Sequence, residues 1–220
     1  MVSLQRDGNV FVLDMGDSDN RFNADSLEAL EGCLTEVEAG APCALVTVAS
    51  GKIWSNGLDL EWMGTQGEAV MPFLARVHEL LARVLQIGVP TVAALQGHTF
   101  AAGAMLALAH DHRVMRADRG FFCLPEVDLG LSFTPGMSAL IAARLPSATT
   151  HEAMTTGRRY GGVEAAAAGI VHEAVAEDEV RAVACARAAA LAGKQQASLG
   201  AIKTRLYEST LAALRGPLKL

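Results

Sequence analysis

Along the first 135 positions, short apolar runs alternate with longer stretches of helical period. "NVFVLDM" (9–15), "CALVTVAS" (43–50) and "VPTVAALQG" (89–97) are rich in valine and bounded by polar or turn residues. The last two have the form of strands buried in a parallel sheet. From Asn23, leucines recur at helix spacing behind small polar residues, and Gly40 supplies a stop. A second amphipathic helix is predicted over 71–87, with Leu74, Val77, Leu81, Val84 and Leu85 on one face. "TFAAGAMLALAHD" follows the third strand as a small-residue helix, and "HRVMRAD" and "GFFCLPEVDLG" read as further strand-like pieces. Beyond Pro135 the pattern is helical, the last helix running through "QASLGAIKTRLYESTLAAL" to near Gly216. This order predicts an α/β fold in a single domain over 1–220, with an α/β core (1–135) and a mainly helical region (136–220).

Composition narrows the class. The 220 residues are 51% hydrophobic and carry a net charge of −6, which fits a globular protein with a sizeable core and argues against a nucleic-acid surface. The first residues lack the features of a secretory signal, and no uncharged apolar segment reaches the length of a membrane span. A cytoplasmic location and no membrane partner are therefore expected. The C-terminal "LKL" does not match the peroxisomal S-K-L address. The four cysteines (33, 43, 123, 185) are scattered and the six histidines fall at no metal-ligand spacing around them, so reduced thiols and no metal site are expected.

Three stretches carry candidate chemistry. In "WSNGLD" (54–59), Gly57 permits a turn that exposes backbone N–H groups. In "GHTFAAGA" (97–104), small residues open a helix directly after a buried strand, where N–H donors and the positive dipole end are available. Either loop alone is compatible with tight helix–sheet packing. "GFFCLPEVDLGL" (120–131) places a carboxylate, Glu126, in an apolar stretch, where an unpaired charge is expensive and a shifted pKa is the usual outcome. Together they suggest an oxyanion hole beside a proton-transferring carboxylate. The structural alternative pairs Glu126 with Arg119 or Arg144, or makes it a helix cap.

The ordered set "WSNGLD", "GHTFAAGAMLALAHD" and "LPEVDLGL" resembles the crotonase (enoyl-CoA hydratase/isomerase) superfamily over Val10–Val175, and "NRFN" (20–23) fits an early Asn-containing segment of that family. "HDHRVMRADRGFFCLPEVDLGL" is most similar to the Δ3,Δ2-enoyl-CoA isomerases of plant peroxisomal type. The resemblance implies a spiral of ββα units with C-terminal helices, assembled as a homotrimer or a dimer of trimers. It also implies an acyl-CoA substrate, with CoA as part of the substrate and no separate cofactor. Carried over, it puts the oxyanion N–H groups on Asn56 and Ala102 and the proton shuttle on Glu126. Substrate contacts are expected at Arg21, Phe22, Ser55, Gly57, Leu58, Asp59, Gly103 and Pro125; Asp59 also braces its loop, and Asp111 is structural. Met105 stands where hydratases carry their other glutamate, which favours isomerisation by one base over hydration. Thr134 stands where dienoyl isomerases carry a further acid, and Asp128 is a nearby carboxylate expected at the surface. Another crotonase reaction such as hydration, and a non-catalytic acyl-CoA-binding protein, remain the alternatives.

Several residues carry two readings. His98 and His110 are candidate bases, with hydrogen-bonded structural roles expected. Trp54 and Trp62 either pack in the core or border the acyl or CoA groove. Met63, Met71 and Met105 suit an adaptable acyl pocket or an ordinary core. Lys203 and Arg205 either meet a CoA phosphate or are solvated helix charges, the latter being expected.

Overall fold

A computed structural model describes residues 1–218. Of "LKL", Lys219 and Leu220 therefore lie outside the described residues. The chain opens with β1 (Ser3–Asp7) and β2 (Val10–Asp14), followed by β3 (Arg21–Phe22), α1 (Ala24–Ala39) and β4 (Ala44–Val48). Next come β5 (Ile53–Ser55), β6 (Gly57–Leu58), α2 (Leu60–Met63) and α3 (Val70–Gln86). Then follow β7 (Thr91–Leu95), β8 (His98–Phe100), α4 (Ala102–Ala109), β9 (His112–Arg116) and β10 (Phe122–Cys123). The remainder comprises α5 (Pro135–Arg144), α6 (Ser147–Thr156), α7 (Gly162–Ala167), β11 (Glu173–Val175), α8 (Val180–Leu191), α9 (Gln196–Leu206) and α10 (Glu208–Leu214).

Six strands form the main sheet in the order β1-β2-β4-β7-β9-β11, parallel except for the β1–β2 hairpin. β10, β8 and β5 make a parallel three-stranded sheet, and β3 pairs with β6. Along the main strands side chains alternate between faces. Phe11, Leu13, Leu45, Ala93, Leu95 and Met115 join the core shared with α1, α3 and α4. Val10, Val12, Ala44, Val46, Val92 and Val114 meet Val180, Ala184 and Ala188 of α8 on the other side. Burial on both faces is why these strands read as unbroken apolar runs.

Local chemistry explains the clearest boundaries. Asn23 caps α1 by accepting Ser26 N–H at 3.1 Å, while Ser26 Oγ accepts the Asn23 N–H at 3.0 Å, a reciprocal pair that satisfies two orphan donors. The mainly helical region after 135 also supplies one strand, β11, which completes the main sheet, while α8 covers its back. Two expectations are corrected. The last helix divides at Tyr207, whose ψ of 22° at φ −111° leaves the helical region. "GFFCLPEVDLG" is strand only at Phe122–Cys123; after Pro125 it is a turn that leaves Asp128 exposed.

Lys203 also departs from expectation. It is 4% exposed and donates to Ile87 O and Val89 O at 3.0 Å each and to Asp111 Oδ2 at 2.6 Å. Neither a CoA phosphate nor solvent is its partner; its place under α9 takes the ammonium inward. Arg205, two residues on, is exposed. Asp111 further accepts Thr91 N–H at 2.8 Å, tying the region after α4 to the start of β7. Lys203→Met leaves two carbonyls without their donor and Asp111 without its counter-charge, and is expected to lower unfolding free energy by about 3 kcal/mol, read by urea denaturation. A loss within ~0.5 kcal/mol would mean the ion pair holds nothing together.

Candidate active site

Two backbone segments meet at the start of α4. The helix follows β8 through Ala101, which adopts φ 50°, ψ −127°, a region that L-residues rarely occupy. No side chain caps α4, and its first hydrogen bond back into the turn is Met105 N–H to Ala101 O at 3.1 Å. The N–H groups of its first turn therefore have no intrahelical acceptor.

The opposing segment is residues 55–59. Asn20, at φ 48°, sends Nδ2 to the carbonyls of Gly16, Ile53 and Trp54. Ser55 Oγ donates to Asn20 O at 2.8 Å and accepts Gly57 N–H at 3.1 Å. Asn56 N–H donates to Asp19 O and Asp59 N–H to Phe22 O, both at 3.0 Å. Successive N–H groups on a strand point to opposite edges. The Leu58 N–H therefore leaves β6 on the side away from β3, where β6 packs on α4. Gly57, at φ 77°, makes that approach possible: a Cβ there would sit 2.7 Å from Ala102 N. Gly103 plays the matching part from the helix, since a Cβ on it would lie 2.6 Å from Ser55 Oγ.

Across from this junction, Glu126 begins the turn after Pro125, its carbonyl accepting Leu131 N–H at 2.9 Å. The residue is 7% exposed, and its buried Oε2 has no hydrogen-bond partner among the described residues. Burial raises its pKa to about 7 against a smaller opposing effect of its own backbone N–H. The expected arginine partners are elsewhere. Arg144 is engaged with the carbonyls of Leu108, His110 and Asp111, and Arg119 makes no ion pair among the described residues. With no ion pair among the described residues, Glu126 is an uncompensated acid there.

Glu126 and Ala102 open into one cavity of about 540 Å³, with Arg21, Asn56, Leu58 and Pro125 also on its wall. Met63, Val70, Leu74, Met105 and Met137 supply an apolar lining. Its other carboxylate, Glu61, is an exposed residue of α2. Phe22 and Asp59 instead face an adjoining cavity of about 420 Å³, and Arg21 borders both. Ser55, Gly57 and Gly103 are buried at the junction and shape its backbone rather than lining the cavity. Asp59 braces its loop, capping α2 through Trp62 N–H at 3.1 Å. The Asn56 expectation is corrected: its N–H is spent on Asp19, and strand alternation turns the neighbouring Leu58 N–H towards α4.

The remaining candidates separate. His110 is buried between Thr47 Oγ1 and Leu106 O, each 2.8 Å away, and desolvation lowers its pKa to about 4. His98 stacks obliquely with Phe100 and Phe121 outside the cavity wall. Trp54 is fully buried, Trp62 meets Phe73 edge-on, and Met71 is exposed. Thr134 does reach the wall, its hydroxyl held 2.9 Å from His78 Nε2. Sequence reasoning did not find Phe100, Leu129, Leu131 or Met137 as wall residues. They come from β8, the turn after Pro125 and α5, and share no spacing that marks them. Among the described residues no cluster of three or more His, Cys, Asp or Glu side chains has a metal-binding arrangement, and no helix is long and apolar enough to cross a membrane.

Known proteins share this architecture. A family profile described as enoyl-CoA hydratase/isomerase matches residues 6–217. The chain is 37% identical over 190 residues to "Enoyl-CoA delta isomerase 2, peroxisomal" of Arabidopsis thaliana, covering 81% of this chain and 79% of that protein. It is 33% identical over 168 residues to the carnitinyl-CoA dehydratase of Escherichia coli K12, covering 76% and 63%. Among solved structures, an apo enoyl-CoA isomerase of Mycobacterium tuberculosis superposes with a TM-score of 0.90 at 28% identity, covering 97% of this chain and 94% of that one. The human mitochondrial Δ3,Δ2-enoyl-CoA isomerase shares the fold, with a TM-score of 0.90 at 23% identity and coverage of 97% and 85%.

Two expectations follow from the geometry. Folding raises the Glu126 pKa from 4.5 to about 7, so across that window the native state keeps a proton that the unfolded chain releases. Stability therefore falls as pH rises through the window, by at most ~3 kcal/mol. Glu126→Gln, which stays neutral, should be more stable than the parent at pH 8 and indistinguishable at pH 4 in urea titrations. An equal difference at both pH values would contradict the shift. Separately, Ala101→Gly removes the positive-φ strain and should raise stability by ~1 kcal/mol without lowering turnover. A destabilised variant would show that Ala101 is not strained.

Proposed function

The chain belongs to the enoyl-CoA hydratase/isomerase family, and from that premise we propose that it is an enoyl-CoA delta isomerase working with a single carboxylate. The observation that carries the mechanism is Glu126: an uncompensated acid in a water-poor wall, opposite the uncapped start of α4. Met105 occupies the position from which a second carboxylate would act, and it belongs to the apolar lining.

In this reading the thioester oxygen of a 3-enoyl-CoA accepts the N–H groups of Ala102 and Leu58. Their donation stabilises negative charge on that oxygen and acidifies C2. Glu126 removes a C2 proton, leaving a dienolate held by the two donors. It then returns the proton at C4, so that the double bond moves from C3–C4 to C2–C3 and the carboxylate is regenerated. No net proton, electron or water is exchanged, and CoA takes part only as the substrate's carrier. A pKa near 7 suits a group that must both take and give a proton near neutrality. Hydration would need a water placed between two carboxylates, and Glu61 is exposed on α2 rather than buried beside Glu126. Assembly as a homotrimer or a dimer of trimers and a cytoplasmic setting belong to the same proposal. Ile202 and Leu206, exposed one turn apart on α9, support the assembly as an apolar stripe.

The test follows 3-hexenoyl-CoA by the ultraviolet absorbance of its conjugated 2-enoyl product. Glu126→Gln should lower kcat by ~10²–10⁴-fold while retaining acyl-CoA binding. In the parent, kcat/KM should fall about tenfold per pH unit below pH ~7, because the base must be ionised, and level off above it. Formation of a 3-hydroxyacyl thioester from the 2-enoyl ester would point to hydration instead. Tight binding of enoyl esters without turnover would point to a binding protein.

A further inference from the structure

α4 ends as unusually as it begins. Two guanidinium groups converge on its last carbonyls. Arg113, on β9 and 3% exposed, donates from Nη1 to His110 O at 3.0 Å and from Nε to Ile170 O at 2.6 Å. Arg144, at the end of α5, donates from Nε to Leu108 O at 2.8 Å and from Nη2 to His110 O at 2.7 Å and Asp111 O at 3.0 Å. Arg144 also contacts the Tyr207 hydroxyl at the break between α9 and α10. Among the described residues neither arginine has a carboxylate within ion-pair distance, and the nearby Asp111 is paired with Lys203.

This arrangement is expensive in isolation. Burial, and then the charge of Arg144, push the Arg113 pKa down to about 9. Three cations gather near a single carboxylate that pairs only with Lys203 among the described residues, in a chain whose net charge is −6. Apolar side chains would fill the same space without that penalty. What the cations gain is the negative end of α4 and its unpaired carbonyls. All eight residues of α4 are buried and apolar, so the helix has no polar anchor of its own along its length. It rises only ~12 Å from end to end, short enough for a shift at one end to be felt at the other.

We propose that Arg113 and Arg144 are positioning residues of the oxyanion hole: by clamping the C-terminal carbonyls of α4 they fix where its first N–H, that of Ala102, meets the thioester oxygen. The inference rests on the hole described under the proposed function. It also connects the C-terminal helices to the reaction centre, because Tyr207 holds Arg144 from the far side.

Acetoacetyl-CoA separates a positioning role from a purely structural one. Its enolate absorbs in the near ultraviolet, so the enolate fraction at saturation reports how well the hole stabilises negative charge. In Arg144→Met that fraction should fall several-fold at saturating ligand, with kcat for 3-hexenoyl-CoA lowered roughly ten- to hundredfold and KM changed little. Arg144→Lys, which keeps the charge but cannot reach all three carbonyls, should fall between. A folded Arg144→Met with the parent's enolate band and kcat would overturn the inference. If Arg144→Met does not fold, Arg144→Lys decides on the same readings. Absence of the band in the parent protein would instead remove the hole itself, and with it the reading on which the clamp depends.

Discussion

The site depends on how closely two backbones can approach. Residues 55–59 and the first turn of α4 meet where a Cβ on Gly57 would be 2.7 Å from Ala102 N. That contact requires glycine on the loop and small residues on the helix, and it is guarded on both sides. Ser55 and Asn20 hold the loop through side-chain hydrogen bonds to backbone, and Ala101 accepts a strained backbone to turn the chain into the helix. Strain at one alanine is affordable within a fold whose main sheet is packed on both faces. Such a junction offers backbone donors without side-chain entropy or titration.

Glu126 shows the complementary principle. Where the loop and helix provide partial positive charge with no titratable group, the turn after Pro125 provides a titratable group with no partner. Burial raises its pKa to about 7, and the same low-dielectric surroundings strengthen nearby dipoles, so under the proposed mechanism one environment would serve both the acid and the backbone donors. Met105 and the other apolar wall residues matter to this acidity, because a hydrogen-bond donor in their place would satisfy the carboxylate and return it towards the ordinary value. Other buried polar groups are satisfied: His110 and Lys203 each have their hydrogen bonds, Lys203 through the half-buried Asp111.

The elements most legible in the sequence were those with local causes. The three valine-rich runs became β2, β4 and β7, and the helix opened by Asn23 and stopped at Gly40 became α1. β11 was hidden because three half-buried residues carry no period of their own and are a strand only beside β9. The break at Tyr207 was equally silent, since both flanking segments have helical spacing.

For the site, residue types singled out Glu126 and the two small-residue loops, because a carboxylate in an apolar run and small residues at a strand-to-helix turn are visible without coordinates. The family resemblance added the roles of Glu126 and Ala102. Which N–H of the loop is left free of a partner was decided by pairing between β3 and β6, a relation across the chain that engages Asn56 and directs the proposal to Leu58. The lack of an ion pair at Glu126 among the described residues, the burial of Lys203 and the arginine contacts at the end of α4 are likewise visible only in three dimensions. Sequence records which groups are present and how neighbours in the chain are spaced. Whether a charge is paired, and which way a peptide points, depends on what long-range packing brings to it.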